Sequence, residues 1–146
     1  MIAALRVWLL AAIVAFSQGV FAQIAPSTSD WTEIKRVIAA QRDALVSGDG
    51  ARAFSFAAPS IRSHFGDVTT FMRMVRQSYR ALLDARYVEF LEGAVIAGDV
   101  VQPLRLVLPN GTVMIAIYGV QRQTDGGWRI TACVIAPSTL RSAQVA

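Results

Sequence analysis

Residues 100–136 read VVQPLRLVLPNGTVMIAIYGVQRQTDGGWRITACVIA. The pattern has period two and favours β-branched and aromatic residues, which fit a pleated, half-buried surface. Val100 to Leu108 reads as one strand, with Pro103 marking an edge or a bulge because proline cannot donate to the ladder. Asn110-Gly111 is a strong hairpin signal of the type I′ kind, so Thr112 to Gln123 returns antiparallel. Asp125-Gly126-Gly127 makes a second hairpin turn, and Trp128 to Ala136 completes the meander. Both faces of the middle strand are apolar, with Met114 and Ala116 on one side and Val113, Ile115 and Ile117 on the other. One face can lie under helices. The other must meet a partner chain or curve around a cavity.

Upstream, Arg86 to Ala97 has the same strand character, and Gly98-Asp99 is the tight turn that follows it. Before Arg86 the spacing is helical. Asp67 caps a helix running to about Leu83, in which Phe71, Met74, Val75, Ser78 and Leu82 share one face with Tyr79 at its edge. Arg73, Arg76 and Arg80 occupy the opposite face, so this helix is amphipathic and lies on something apolar. Ser60 to Gly66 reads as a turn. Ala51 to Phe56 reads as a short helix capped by Asp49 and ended by Pro59. The first helix starts at a capping box formed by Asp30 and Glu33 and stops at Gly48. Helices segregated ahead of strands predict an α+β class: three N-terminal helices packed on a curved four-stranded antiparallel sheet. The domain is expected over residues 30–136, after a linker at 23–29 and before a polar tail at 137–146.

The first helix leading into Ser47-Gly48-Asp49-Gly50, the hairpin meander and the closing Asp125-Gly126-Gly127-Trp128-Arg129-Ile130 together resemble the nuclear-transport-factor-two-like superfamily. That is the cone-shaped, cystatin-like α+β fold shared with ketosteroid isomerases and polyketide cyclases. More narrowly, Gln41-Arg42-Asp43-Ala44-Leu45, Ala53-Phe54-Ser55-Phe56-Ala57, Phe71-Met72-Arg73-Met74-Val75 and Trp128-Arg129-Ile130-Thr131-Ala132-Cys133 are similar to a bacterial domain-of-unknown-function family, the one numbered four-eight-six-four. The resemblance spans about residues 30–136. It implies a fold and not an activity, because relatives include enzymes, ligand binders, transport adaptors and assembly modules. Enzymatic relatives place an acid–base carboxylate, with tyrosines or a second carboxylic acid, inside the cone. No position here matches those roles residue by residue, so no catalytic residue is carried over.

The chain has 146 residues, 54% of them hydrophobic, with fourteen basic and ten acidic groups. Residues 1–22 hold a single charge, Arg6, and the unbroken apolar run Val7 to Phe16. That run is too short to span a bilayer and has the proportions of a signal peptide, with Val20-Phe21-Ala22 as the cleavage site. A periplasmic or secreted protein is the expectation, with an uncleaved anchor as the alternative. The remaining composition suits one globular domain and excludes a disulfide scaffold, since the lone Cys133 has no partner within the chain and reads as core filler.

Neither a metal site nor a phosphate cradle is legible. The chain has one His and one Cys, with carboxylates scattered singly, and Gly48-Asp49-Gly50 lacks the lysine of a P-loop. No cofactor is expected. Ser60, Ser63, His64 and Asp67 crowd one short turn, where side chains rarely converge, so they read as caps and a pocket-rim histidine. The pattern most in keeping with the aromatic inner faces is an apolar ligand pocket lined by Phe54, Phe71, Tyr79, Phe90, Tyr118 and Trp128, with Phe56 and Val75 as further candidates. An enzymatic alternative would use Glu89 or Glu92, or His64, with Tyr79, Tyr87 or Tyr118 as donors, for cofactor-independent acid–base chemistry on a small apolar substrate. A third reading gives the Arg73, Arg76 and Arg80 face an anionic membrane or an acidic partner. Export argues against nucleic acid. Dimerisation through the sheet is a further expectation, although the C-terminal tail could cover that face instead.

Overall fold

The computed structural model describes residues 25–138. The signal peptide expected at 1–22, and all of the expected tail from 139 onward, lie outside the described residues. Ten elements follow in order: α1 (Thr28–Val46), α2 (Gly50–Ser55), α3 (Pro59–Phe65), α4 (Val68–Ser78), α5 (Arg80–Asp84), β1 (Tyr87–Phe90), β2 (Ala94–Ile96), β3 (Asp99–Val107), β4 (Val113–Arg122) and β5 (Trp128–Pro137). The class is α+β, with helices against an antiparallel sheet ordered β1-β3-β4-β5, and β2 pairing with β3 alongside β1.

The helical half is more broken than the spacing predicts. The first helix begins two residues before Asp30, because Ser27 is the N-cap and Asp30 fills the role expected of Glu33 in the capping box. Glu33 instead pairs with Arg36, one turn along. Pro59 does not end α2 but opens α3, where the expected turn lay. Its fixed φ and missing N–H suit the first helical position. The long helix expected from Asp67 to Leu83 does start at Asp67, whose carboxylate accepts from the Thr70 N–H at 2.7 Å. It breaks at Tyr79, which leaves helical geometry at φ −124° and ψ 32°. The reason is tertiary: the Tyr79 hydroxyl donates to the Cys133 carbonyl of β5 at 2.8 Å. Arg42 of α1 holds the piece beyond the break, donating to the Leu82 carbonyl at 3.0 Å and the Ala85 carbonyl at 2.7 Å. A guanidinium at a helix C-terminus also meets the negative end of the helix dipole.

The sheet departs from expectation at one strand. Arg86 to Ala97 is two strands, not one, because Leu91-Glu92-Gly93 leave the ladder. The opposing Pro103 has no N–H to offer there, and the buried Gln102 amide donates to the freed Leu91 carbonyl at 2.7 Å and to the Pro103 carbonyl at 2.9 Å. The break also admits Trp31, since a Cβ on Gly93 would lie 2.3 Å from its ring. Turn chemistry shifts as well. The two-residue loop before β3 is Ala97-Gly98, both with positive φ, and not Gly98-Asp99. Pro109 to Gly111 forms a three-residue loop, with Gly111 in the left-handed region, in place of a type I′ pair. The last strand runs one residue past Ala136, to Pro137.

Alternation along β3 is regular, with Val100, Gln102, Leu104 and Leu106 buried and the intervening residues less so. Val100, Leu104 and Leu106, with Ala116, Tyr118, Val120 and Ile130, form one core with Ile34, Val37, Ile38 and Leu45 of α1. The start of α1 is clamped to the far hairpin through Asp30. One carboxylate oxygen accepts from the Ser27 N–H and hydroxyl, both at 2.9 Å. The other accepts from Arg122 and from Trp128 Nε1 at 3.3 Å, while the Arg122 guanidinium lies 5.1 Å from the Trp128 ring. Those Ser27 bonds, then Trp128 and Arg122, hold the Asp30 carboxyl below its ordinary value of 3.8. A lowered folded-state value means stabilisation that is complete above 3.8 and lost as pH falls through the lowered value. Asp30→Asn should therefore melt below wild type at pH 7, and the gap should narrow as pH falls below the ordinary carboxylate value of 3.8. Thermal unfolding across that range checks it, and a gap independent of pH would refute the clamp.

Candidate functional site

Breaking one helix at Tyr79 and tying the break to β5 leaves a space between the helices and the sheet. The result is a pocket of about 590 Å³ bounded by Gln41 and Leu45 of α1, by α3, α4 and Leu82 of α5, and by Tyr118 and residues 130–133 of the sheet. Its size falls within the roughly 300–1,000 Å³ typical of small-molecule sites. Ile61, Phe65, Phe71, Met74 and Val75 make its helical wall, with Phe65 and Phe71 packed edge to face at 5.8 Å.

Four successive residues of β5, Ile130 to Cys133, border the pocket, Cys133 on the inward parity it shares with Tyr118 and Ile130 on that of Val120. The strand is irregular between them. Val120 pairs with Ile130 and Gly119 with Ala132, which leaves Thr131 as the extra residue. Gly119 faces Thr131 closely, so that a Cβ there would lie 3.1 Å from the Thr131 hydroxyl. Beyond the bulge, Ala57 and Ala58 cover the edge of β5, the Ile130 N–H donating to the Phe56 carbonyl at 2.9 Å and the Ala58 N–H to the Ile130 carbonyl at 2.8 Å.

The chemistry of the lining is neutral. None of its residues is Asp, Glu, Lys or Arg. Burial pushes the Cys133 thiol up to about 12, and it raises the phenols of Tyr79 and, much further, Tyr118. All three groups therefore stay protonated and uncharged near neutral pH. Tyr118 is fully buried and its hydroxyl has no conventional hydrogen-bond partner among the described residues. The polar atom beside it is the Cys133 sulfur, a weak acceptor.

Of the six pocket residues expected from the sequence, Phe71, Tyr79 and Tyr118 line the pocket, as does Val75. Phe54, Phe90 and Trp128 do not, and neither does Phe56. Phe54 backs the wall from outside, its ring 5.2 Å from that of Phe71, while Trp128 is committed to the Asp30 clamp. Phe90 sits on short β1 at the opposite side of the sheet from β5 and packs against the core there. His64 borders the pocket and is exposed, matching its reading as a rim residue. Gln41, Ile61, Met74, Thr131 and Cys133 were not expected in the lining. Met74 shares the helical stripe with Phe71 and Val75, so its signal was present. Thr131 needed the bulge. The candidate catalytic carboxylates stand elsewhere: Glu89 is 3.6 Å from Arg105 on the outer face, and Glu92 is exposed at the strand break. Tyr87 is likewise exposed. Arg73, Arg76 and Arg80 are all exposed, and Arg80 pairs with Asp84 at 3.2 Å.

A family model described as Domain of unknown function (DUF4864) matches residues 27–143. No curated protein and no solved structure matches the chain.

Two consequences are measurable. Tyr118→Phe deletes a buried hydroxyl that lacks a proper partner, so stability should stay within about 1 kcal/mol of wild type or rise. A larger loss in chemical denaturation would reveal a partner. Cys133, held at about 12, should react with iodoacetamide at pH 8 roughly a thousandfold more slowly than a free cysteine of ordinary pKa. Labelling at the ordinary rate in the folded protein would show that the thiol is not shielded.

Proposed function

We propose that this chain, which belongs to the DUF4864 family, is a binding module for a small, uncharged and mostly apolar molecule. The observation that carries this reading is the pocket of about 590 Å³ between α3, α4 and β5, whose lining holds no charged carboxylate, lysine or arginine. A charged guest would lose its hydration there without a counter-ion to replace it, at a cost of several kcal/mol. An apolar guest would gain from each methylene it hides, about 0.8 kcal/mol apiece.

The acid–base reading has less support. Its two candidate carboxylates are on the outer face and at the strand break, and His64 at the rim has no carboxylate beside it in the lining. Export belongs to the same proposal: the leader-like composition of residues 1–22 supports a module working in the periplasm or outside the cell. Among the described residues no helix is long and apolar enough to cross a membrane.

Titration with the neutral fluorophore N-phenyl-1-naphthylamine tests the binding claim. Wild type should bind it saturably at one site. Ser78→Trp places a large ring in the pocket from an exposed position on α4, and should weaken binding at least tenfold with the melting temperature unchanged. No saturable binding to wild type, or equal binding to the variant, would overturn the proposal.

A further inference from the structure

Residues 50–83 hold five arginines, Arg52, Arg62, Arg73, Arg76 and Arg80, and a single carboxylate, Asp67. The rest of the described chain, residues 25–49 and 84–138, has seven basic groups against nine acidic ones. Positive charge is therefore concentrated on α2 to α5. Pairing sharpens the contrast. Elsewhere Arg36, Arg105, Arg122 and Arg129 each face a carboxylate. Of the five, Arg80 alone does so among the described residues, with Asp84 at 3.2 Å. Asp67 is occupied by the cap of α4, where it accepts from the Thr70 N–H. Arg52 meets only the Phe56 ring, at 5.9 Å. Arg52, Arg62, Arg73 and Arg76 are all exposed, with no ion-pair partner among the described residues.

Arg73 and Arg76 lie one turn apart on α4, on the side away from buried Phe71 and Val75. Arg62 and Arg52 belong to the two helices packed against α4. Phe65 of α3 meets Phe71, and Gly50 of α2 lies close to Val68 and Met72.

We infer that this helical surface docks the protein on an anionic phospholipid bilayer. Composition selects lipid over an acidic protein. A protein interface is built around an apolar centre with aromatic anchors. No large apolar side chain of residues 50–83 is exposed, and those that are, such as Val46, Ile96 and Val134, stand on other elements. The exposed neighbours of the arginines are small or polar, among them Ser63, Thr69 and Gln77. A layer of lipid phosphates asks only for charge and hydrogen-bond donors, and a guanidinium offers a fork of N–H groups that fits phosphate oxygens. Each arginine near an anionic surface raises the partition coefficient about fivefold. Placement suits the pocket as well. α4 carries the arginines outside and the pocket wall inside, so docking holds the cavity roughly one helix diameter, about 10 Å, from the headgroups. The inference does not rest on the pocket, because none of these arginines lines it, and the two can fail separately.

Co-sedimentation of the full chain with vesicles tests it, using phosphatidylcholine alone or in equal parts with phosphatidylglycerol. Residues 1–22 carry only Arg6, so binding through them is nearly common to both vesicles and to every variant. At about 0.1 M salt wild type should prefer the anionic vesicles by roughly a hundredfold, and the preference should collapse at about 1 M, where screening is complete within about 3 Å. Arg62→Gln with Arg73→Gln and Arg76→Gln should cut the preference at least tenfold without changing the circular dichroism spectrum. Arg62→Lys with Arg73→Lys and Arg76→Lys keeps the charge and should keep most of it. Arg36→Gln with Arg105→Gln removes charges that are already paired, and should leave the preference within about threefold. Equal binding to the two vesicles would overturn the inference, as would a preference that survives the three glutamines. Binding to polyglutamate without binding to the anionic vesicles would overturn it too, since the surface would then fit an acidic protein.

Discussion

The Tyr79 hydroxyl, donating to the Cys133 carbonyl at 2.8 Å, is the contact on which the internal space depends. It joins the break between α4 and α5 to the edge strand, so that α4 bridges to β5 instead of settling fully onto the sheet. One hydrogen bond contributes only about 1 kcal/mol to stability. Its importance is geometric, because Arg42 holds the far side of the same break through two carbonyls. Together they set the direction of the chain on both sides of Tyr79. The wall carrying Phe71, Met74 and Val75 is thereby kept over β5 with a gap beneath it.

Neutrality of that gap follows from where the charges went. Asp30 is spent on the hairpin clamp, Glu33 on Arg36, Asp67 on the cap of α4, and Asp84 on Arg80. Each answers a local electrostatic need at the surface, and the lining is left with hydroxyls, a thiol, an amide and one imidazole. Burial then keeps the thiol and the two phenols protonated. The same division separates the two faces of the sheet. Even-numbered residues of β3 bury into the shared core while odd-numbered ones face outward, and a single strand thereby serves the core on one side and a more open surface on the other.

Much of this was legible from residue order. The meander followed from period-two spacing and from glycines at the loops, and the cap at Asp67 from an acidic residue ahead of an apolar stripe. Three of the residues expected to share a pocket border one cavity for the same reason: Phe71 and Tyr79 lie on the helical stripe, and Tyr118 on the inward parity of β4. Phe54, Phe90 and Trp128 share that aromatic character, but character does not say which side of the core a ring will occupy. Trp128 was drawn away by Asp30, ninety-eight residues earlier in the chain.

What the sequence determined by itself is the class of the fold, the order of its elements and the parity of its strands, because these rest on periodicities of two and 3.6 residues and on turn chemistry within a few neighbours. Only the tertiary structure decided the breaks at Tyr79 and at Leu91 to Gly93, the bulge at Thr131, and therefore the pocket. Each of those features depends on a group from a distant part of the chain: the Cys133 carbonyl for Tyr79, Gln102 and Trp31 for the strand break, and Gly119 for the bulge. Local spacing carries no record of such partners, since they come within reach only once the sheet and the helices have packed.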